Sequence, residues 1–129
     1  MLKSGGMSDI GGKGITVRTA KASGRIELGK KAFEVVKGGD SKKGDVLGTA
    51  KIAAIQAVKS TSALIPMCHS VLIEVIDVDF VFGERSRSVS VIVTVKSTGK
   101  TGVEMEALSG AAVACLTIYD MLKYIDKTM

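Results

Sequence analysis

The chain has few aromatic side chains and no tryptophan. Two Tyr and three Phe make up 4% of its 129 residues. So few rings are a poor basis for an aromatic cage that binds a cation, or for a platform on which nucleic-acid bases stack. The core must instead come from Val, Ile, Leu and Ala, which suits helices packed on a sheet.

Cysteine and histidine are too scarce for a metal site or a disulfide framework. The two cysteines, Cys68 and Cys115, lie in separate apolar runs without metal-ligand spacing, and His69 is the only histidine. We therefore expect no zinc site, no other metal and no cofactor. Because two cysteines cannot form a disulfide framework, a reducing cytoplasm is favoured over secretion.

Long apolar runs are missing too. No segment reaches about 18 uninterrupted apolar residues, so we expect no membrane span. The first fourteen residues, MLKSGGMSDIGGKG, are rich in glycine and lack the apolar stretch of a signal peptide. We predict a flexible arm over residues 1–14 and a single domain over residues 15–129.

The positive charge is modest and dispersed. Eighteen Lys and Arg against thirteen Asp and Glu give a net charge of +5. Such an excess fits an anionic ligand, nucleic acid or simple solubility, so charge alone does not choose between them. The cations are scattered among carboxylates instead of forming a stripe, and stacking aromatics are scarce. Both features disfavour a nucleic-acid-binding module.

Hydrophobic periodicity predicts a mixture of helices and strands. Asp45 is well placed to cap one helix, and Pro66 prevents that helix from continuing. The predicted elements are one or two extended pieces in 15–28, a short helix at 30–37, a loop at 38–44, a helix at 45–60, a break at 60–70, a strand at 71–82, a turn at 83–86, a strand at 87–96, a turn at 97–102 and the longest helix at 103–126.

The strand at 87–96 alternates strictly in polarity. One set of side chains is Val89, Val91, Val93 and Val95, and the other is Ser88, Ser90, Ile92 and Thr94. This alternation is typical of a half-buried antiparallel strand.

A hairpin between helices indicates an α+β sandwich in which helices cover one face of the sheet. The small residues between Ser109 and Ala114 belong to the last helix, and they permit a neighbouring element to approach that helix closely.

The glycine-rich turn STGKTG leads into the last helix. Free N–H groups and the positive dipole end at a helix start can bind an anion. A phosphate-binding P-loop, however, requires glycine where Thr94 stands, which disfavours a P-loop phosphohydrolase. A plain strand-to-helix turn is an equally good interpretation.

Two pairs of charged residues lie on the last helix. Glu104 and Glu106 suit the dipole at the helix start, and on a regular helix they point about 200° apart, so they cannot face one pocket. Asp120 and Lys123 are three residues apart and share a face. Either they form a simple surface ion pair, or partial burial shifts their pKa values for chemistry.

The remaining candidates are the only histidine and a basic loop. His69 follows IPMC, and it is either a structural side chain or part of a site. The KKGD sequence at 42–45 places two cations beside a helix cap. It is either a solvated loop or a cationic group for a phosphate.

Three stretches together resemble one family. They are LIPMCHSVLIEV, TGKTGVEMEALSGAAVACLTIYDMLKYIDK and KKGDVLGTAKIAAIQAVK. They resemble the cyclic pyranopterin monophosphate synthases of molybdenum cofactor biosynthesis, the MoaC family, from about Asp9 to Met129. The resemblance implies a ferredoxin-like antiparallel sheet with long helices packed on one face. It also implies a lyase that converts a cyclised dihydro-GTP into cyclic pyranopterin monophosphate and diphosphate.

The resemblance assigns the site residues. It implies that Asp120, Lys123 and Lys43 are the catalytic residues. Our hypothesis for their roles is that Asp120 and Lys123 form an acid–base pair, with a lowered pKa for the lysine, and that Lys43 and Arg18 neutralise phosphate. Glu104 and His69 would position the substrate or relay a proton. The full substrate-binding set is Arg18, Met67, Cys68, His69, Glu104, Met105 and Glu106.

The resemblance also implies partners. It implies a cytoplasmic homo-hexamer, a trimer of dimers with active sites between subunits, whose substrate comes from a radical S-adenosylmethionine enzyme. It implies no nucleic acid and no membrane. The small-residue stretch from Ser109 to Ala114 and the valine-rich strands are candidate contact surfaces.

The sequence departs from the family pattern in two places. Ser70 stands where the family has Pro after its Cys-His pair. The family also continues beyond the position of Met129 with a lysine and a Gly-Gly-Lys-Ser-Gly tail. An inactive paralogue with a structural role is therefore an alternative.

Overall fold

Seven elements follow one another along the chain. The computed structural model describes residues 5–129, so residues 1–4 of the predicted arm lie outside the described residues. The elements are β1 (Thr16–Glu27), α1 (Lys30–Gly38), α2 (Val46–Lys59), α3 (Thr61–Leu64), β2 (Ile73–Gly83), β3 (Ser88–Gly99) and α4 (Glu104–Leu122).

Within residues 5–129 the sheet has three antiparallel strands in the order β1–β3–β2. β1 pairs with β3 from Thr16 opposite Gly99 to Glu27 opposite Ser88, and β2 pairs with the other edge of β3. The predicted α+β class is confirmed. The succession of strand, helices, two strands and helix is that of a ferredoxin-like unit through its second helix.

The core lies between β3 and the helices α2 and α4. The four valines of β3, Val89, Val91, Val93 and Val95, are completely buried, while the alternate residue Lys96 is exposed. The predicted alternation is therefore confirmed. Burying these side chains removes apolar surface from water, which supplies the main driving force for docking the helices on the sheet.

Small residues let α4 approach α2 and the sheet closely. A β-carbon at Gly110 would lie 2.8 Å from Val58 Cγ2 and 3.1 Å from Val93 Cγ1. The predicted close helix contact is thus confirmed. However, Ala111 and Ala114 are also buried inside this chain, and so are the β3 valines. Gly110, Ala111, Ala114 and the β3 valines are therefore packed within the chain, whereas Ala112 is exposed. The expected subunit contact is limited to the residues that remain accessible, and it stays a prediction.

Several element boundaries differ from the predicted ones. The segment at 15–28 forms one continuous strand, β1, because its backbone pairs with β3 over twelve residues. For the same reason β3 extends through residues 97–99, which were predicted as turn. The predicted cap at Asp45 is confirmed, since the Asp45 carboxylate accepts a hydrogen bond from the Gly48 N–H at 2.9 Å. The short helix α3 was not predicted.

Among the described helices, α4 alone has the length and mean hydropathy, 1.3, that a membrane crossing requires. A core helix has the same properties. Ala107, Ile118 and Leu122 are completely buried, and α4 contacts α2, β1 and β3. Packing within the chain therefore accounts for the apolar residues on the buried face of α4, while Leu108 and Leu116 remain exposed.

Candidate active site

The predicted site residues lie at the two ends of α4. We call Arg18, Cys68, His69, Glu104 and Glu106 the amino-end cluster, and Lys43, Asp120 and Lys123 the carboxyl-end cluster. Glu106 and Asp120 are fourteen residues apart on one helix, which corresponds to about 21 Å along its axis. One chain therefore assembles two partial sites instead of one.

A buried carboxylate is at the centre of the amino-end cluster. Glu106 is only 3% exposed. The Cys68 thiol lies 3.6 Å from its Oε2 atom and 3.7 Å from the His69 carbonyl oxygen. Among residues 5–129 this thiol is the only side chain that donates to the Glu106 carboxylate. A buried carboxylate with so weak a donor retains most of its capacity to accept further hydrogen bonds or a proton.

The surroundings of Cys68 keep it a thiol. Burial raises the pKa of Cys68, and the charge of Glu106 and the hydrogen bond to its carboxylate raise it further. The thiolate is the nucleophilic form of cysteine. Cys68 therefore acts here as a hydrogen-bond donor to Glu106 and not as a nucleophile.

Glu104 and Glu106 point in different directions, as their spacing predicts. Glu106 is buried, whereas Glu104 is exposed and its carboxylate folds back over Gly102, where a β-carbon would collide with it. Met67 and Met105 are exposed beside Cys68 and Glu106 in the sequence. The first turn of α4 thus presents one buried and one accessible carboxylate.

The amino-terminal arm lies across this cluster. The His69 ring nitrogen Nε2 donates to the Ser8 carbonyl at 2.7 Å, since a carbonyl oxygen can only accept. The Arg18 guanidinium donates to the carbonyls of Gly14, at 3.4 Å, and Gly99, at 3.3 Å. The side chains of His69 and Arg18 therefore donate hydrogen bonds to neutral backbone oxygens, although an anionic ligand could accept the same bonds.

Sequence reasoning missed one cation of this region. The Lys100 ammonium donates to the Gly11 carbonyl at 3.3 Å, so it contacts the same arm as His69 and Arg18. Lys100 belongs to the STGKTG turn, for which the sequence predicted no site residue. Lys100 follows three residues after Ser97, the β3 partner of Arg18. The register of the sheet therefore explains its position, which the sequence alone did not predict.

The carboxyl-end cluster is an exposed ion pair with a second lysine. The Lys123 ammonium lies 2.9 Å from Asp120 Oδ1, and the side chains are 47% and 61% exposed respectively. Lys43, from the loop before α2, donates to the Asp120 backbone carbonyl at 3.3 Å. Two ammonium groups thus lie at the carboxyl end of a helix, where the dipole favours positive charge.

The charges in this cluster stabilise one another. The hydrogen bond and charge of Lys123, followed by the charge of Lys43, lower the pKa of Asp120. The same hydrogen bond and the Asp120 charge raise the pKa of Lys123. The expected lowered pKa of Lys123 is therefore wrong, because the side chain is exposed and its carboxylate partner stabilises the ammonium form. At neutral pH both groups are charged.

A cleft lies elsewhere on the surface, away from both clusters. It has a volume of about 450 Å³ and is lined by residues of α1 and the β2–β3 turn, including Phe33, Glu34 and Arg87. No predicted site residue lines it. The carboxyl-end cluster is exposed instead, and the amino-end cluster is partly buried around Glu106.

Comparison with known proteins identifies the family. The sequence profile of the MoaC family matches residues 7–129. The chain belongs to the MoaC family. The resemblance inferred from the sequence motifs is therefore confirmed.

Curated relatives named cyclic pyranopterin monophosphate synthase match nearly all of the chain. The protein of Campylobacter jejuni subsp. jejuni serotype O:23/36 (strain 81-176) is 52% identical over 123 residues, which cover 95% of this chain and 78% of the relative. The Natranaerobius thermophilus protein is 50% identical with 95% and 77% coverage. The Rhodopirellula baltica protein is 46% identical over 132 residues with 95% and 75% coverage.

Proposed function

We propose that this chain is a lyase of molybdenum cofactor biosynthesis that makes cyclic pyranopterin monophosphate. Its substrate is (8S)-3′,8-cyclo-7,8-dihydroguanosine 5′-triphosphate, and diphosphate is released. The observation that supports this most strongly is the MoaC match over residues 7–129, together with identities near 50% to synthases along 95% of the chain.

The reaction requires proton transfers and a phosphoryl transfer. Opening one ring and closing another moves protons between carbon, nitrogen and oxygen. A substrate hydroxyl then attacks the α-phosphorus, and the bridging bond to the β-phosphate breaks, so diphosphate leaves. Positioned acids and bases accelerate the first kind of step, and fixed cations stabilise the charge that develops in the second.

The two clusters supply different parts of this chemistry. The buried Glu106 carboxylate is a proton acceptor, and His69 and Arg18 of the same cluster orient the substrate. At the other end of α4, Lys43 and Lys123 neutralise the triphosphate. Because its pKa is raised, Lys123 starts as a proton donor, and the ionised Asp120 holds it in place.

A complete site requires a second copy of the chain, because the two clusters are about 21 Å apart along α4. An apolar stripe faces solvent between them. It includes Leu108, 51% exposed, and Leu116, 64% exposed, with Ala112 between them and Met105 three residues before Leu108. Exposed apolar stripes of this kind mark interaction surfaces.

Two α4 helices packed antiparallel along this stripe join the two half-sites. A two-fold axis places the amino-end cluster of one protomer beside the carboxyl-end cluster of its partner, and the same contact repeats in reverse. Each dimer then has two composite sites. We further propose that three such dimers form a hexamer in the cytoplasm, supplied by a radical S-adenosylmethionine enzyme.

Sedimentation tests the assembly. The wild-type chain should sediment as a hexamer, and Leu116→Glu should shift it toward monomer because it places a charge in the apolar stripe. Val81→Glu, an exposed substitution on β2, is the control and should leave the assembly unchanged. A wild-type chain that sediments only as monomer would contradict the composite site.

Turnover tests the function. The full chain is incubated with the product of the radical enzyme, and cyclic pyranopterin monophosphate and diphosphate are measured by mass spectrometry. Lys123→Ala and Asp120→Ala should each bind the substrate and lose roughly 100-fold or more in kcat. Lys127→Ala, a nearby exposed lysine, is the control. No conversion by the wild-type chain refutes the proposed function, and near-normal turnover by both variants refutes their role.

A further inference from the structure

The loop that carries Lys43 is poorly supported by packing. It connects α1 to α2, and its residues 42–45 are exposed. Gly39 and Gly44 bend it with φ angles of 72° and 100°, a conformation that favours glycine. A cavity of about 340 Å³ lies between the loop and the adjoining ends of α1 and α2. The position of Lys43 must therefore be fixed by contacts on the other side of the loop.

Tyr124, two residues beyond the end of α4, provides those contacts. Its hydroxyl accepts a hydrogen bond from the Lys42 backbone N–H at 3.2 Å and lies 3.3 Å from the Ser41 hydroxyl oxygen. The Lys42 ammonium lies 4.4 Å from the centre of the tyrosine ring, which is a cation–π geometry. Three contacts from one side chain thus hold two consecutive loop residues.

These contacts extend to Lys43 itself. The Lys43 N–H donates to the Ser41 hydroxyl at 3.2 Å, and the Lys43 ammonium donates to the Asp120 carbonyl at 3.3 Å. Tyr124, Asp120 and Lys123 all belong to the carboxyl end of α4 and the turn after it. The same short segment therefore provides Asp120 and Lys123 and also determines where the loop places the third charged group of the cluster.

We propose that Tyr124 is a positioning residue that holds Lys43 beside Asp120 and Lys123. This inference rests on the proposed function, in which Lys43 stabilises the phosphoryl transfer. Tyr124 does not touch the ion pair in the described structure and acts through the loop. In support of the contact, hydrogen bonding from Ser41 lowers the pKa of the Tyr124 hydroxyl.

Tyr124→Phe tests the proposal because it removes only the hydroxyl and keeps the ring over Lys42. We expect kcat for the cyclised dihydro-GTP to fall about five- to tenfold, with KM changed less than twofold. Tyr119→Phe is the matched control. It removes a hydroxyl from the same end of α4 that donates to the Lys127 carbonyl at 3.0 Å, so kcat should remain near wild type.

A double-mutant cycle separates positioning from a general structural effect. In a Lys43→Ala background, Tyr124→Phe should lower kcat less than twofold further, because its effect passes through Lys43. Equal losses in both backgrounds would overturn the proposal, and so would a wild-type kcat for Tyr124→Phe.

Hydrogen exchange provides a readout that does not depend on turnover. Tyr124→Phe should speed exchange of the Lys42 and Lys43 amides at least tenfold, while the amides of α2 keep their wild-type rates. If the wild-type chain fails to convert the substrate, the proposed function is refuted. Unchanged amide exchange at Lys42 and Lys43 overturns the anchoring by Tyr124, whether or not the wild-type chain converts the substrate.

Discussion

Glu106 is the residue whose environment is most unusual. Its carboxylate is buried, and the Cys68 thiol is a weak partner for a charged group. Burial of a carboxylate is unfavourable unless hydrogen bonds or a proton compensate. A substrate that brings its own donors would therefore satisfy Glu106 better than the Cys68 thiol does, which suits a residue that binds or deprotonates a ligand.

Alkylation rates test the coupling between Cys68 and Glu106. Glu106→Gln removes the negative charge that helps to raise the pKa of Cys68, so iodoacetamide should modify Cys68 faster at pH 8. Cys115 is the internal control, since burial alone raises its pKa. Peptide mass spectrometry measures both rates in one sample. An unchanged rate at Cys68 would contradict the coupling.

The Asp120–Lys123 ion pair stays ionised over a wide range of pH. Asp120 has a lowered pKa, so its contribution to stability is present above its ordinary value of 3.8 and is lost as pH falls through the lower folded value. Lys123 has a raised pKa, so its contribution is complete below 10.5 and is lost as pH rises through the higher folded value. Between these limits the pair remains ionised.

An NMR titration of the Lys123 side chain tests this assignment. Asp120→Asn should lower the pKa of Lys123 toward its ordinary value, because the hydrogen bond and charge that raise it come from Asp120. Asp126→Asn is a suitable control, since Asp126 interacts with Thr128. If both variants leave the pKa of Lys123 where the wild type has it, the ion pair does not exist in solution.

At the scale of elements, β3 organises the domain. It is the central strand, and its valine face supports α4, while α2 packs against α4 and β2. Its carboxyl end leads through the STGKTG turn into α4, so the strand determines where the amino-end cluster begins. α4 then carries the chain to the second cluster with no kink-forming proline in between.

Thermal or urea unfolding tests the two faces of the sheet. Val91→Ala should lower the free energy of unfolding by about 2 kcal/mol, because it deletes completely buried methyl groups and leaves a cavity. Val81→Ala on β2 is the matched control. Its side chain is exposed, so the loss should be within about 0.5 kcal/mol. Similar losses in both variants would contradict the core assignment.

The sequence allows prediction of whatever depends on local pattern. The alternation along β3 follows from a period of 2 residues, and the divergence of Glu104 from Glu106 follows from a period of 3.6 residues. The Asp45 cap follows from the residue type at the helix start. The structure confirms all three. The contacts of Lys100 and Tyr124 could not be predicted, because they join residues about 80 to 90 positions apart in the sequence. The pKa direction of Lys123 was missed because its exposure depends on packing.

At the scale of the whole molecule, one chain is half of each proposed site. The amino-end cluster has the buried carboxylate and the donors around it, and the carboxyl-end cluster has the two lysines and Asp120. The stripe from Met105 to Leu116 is the exposed apolar surface that runs between them. Assembly and catalysis are therefore coupled in this account, since a variant that cannot dimerise has no complete site.

Subunit mixing tests this central claim most directly. Glu106→Gln and Asp120→Asn, each inactive alone, damage opposite clusters. When the two chains are co-expressed and mix at random, half of the dimers are mixed, and each mixed dimer has one site with both clusters intact. The account predicts recovery of about one quarter of wild-type turnover. A mixture no more active than the separate variants would contradict a site shared between two chains.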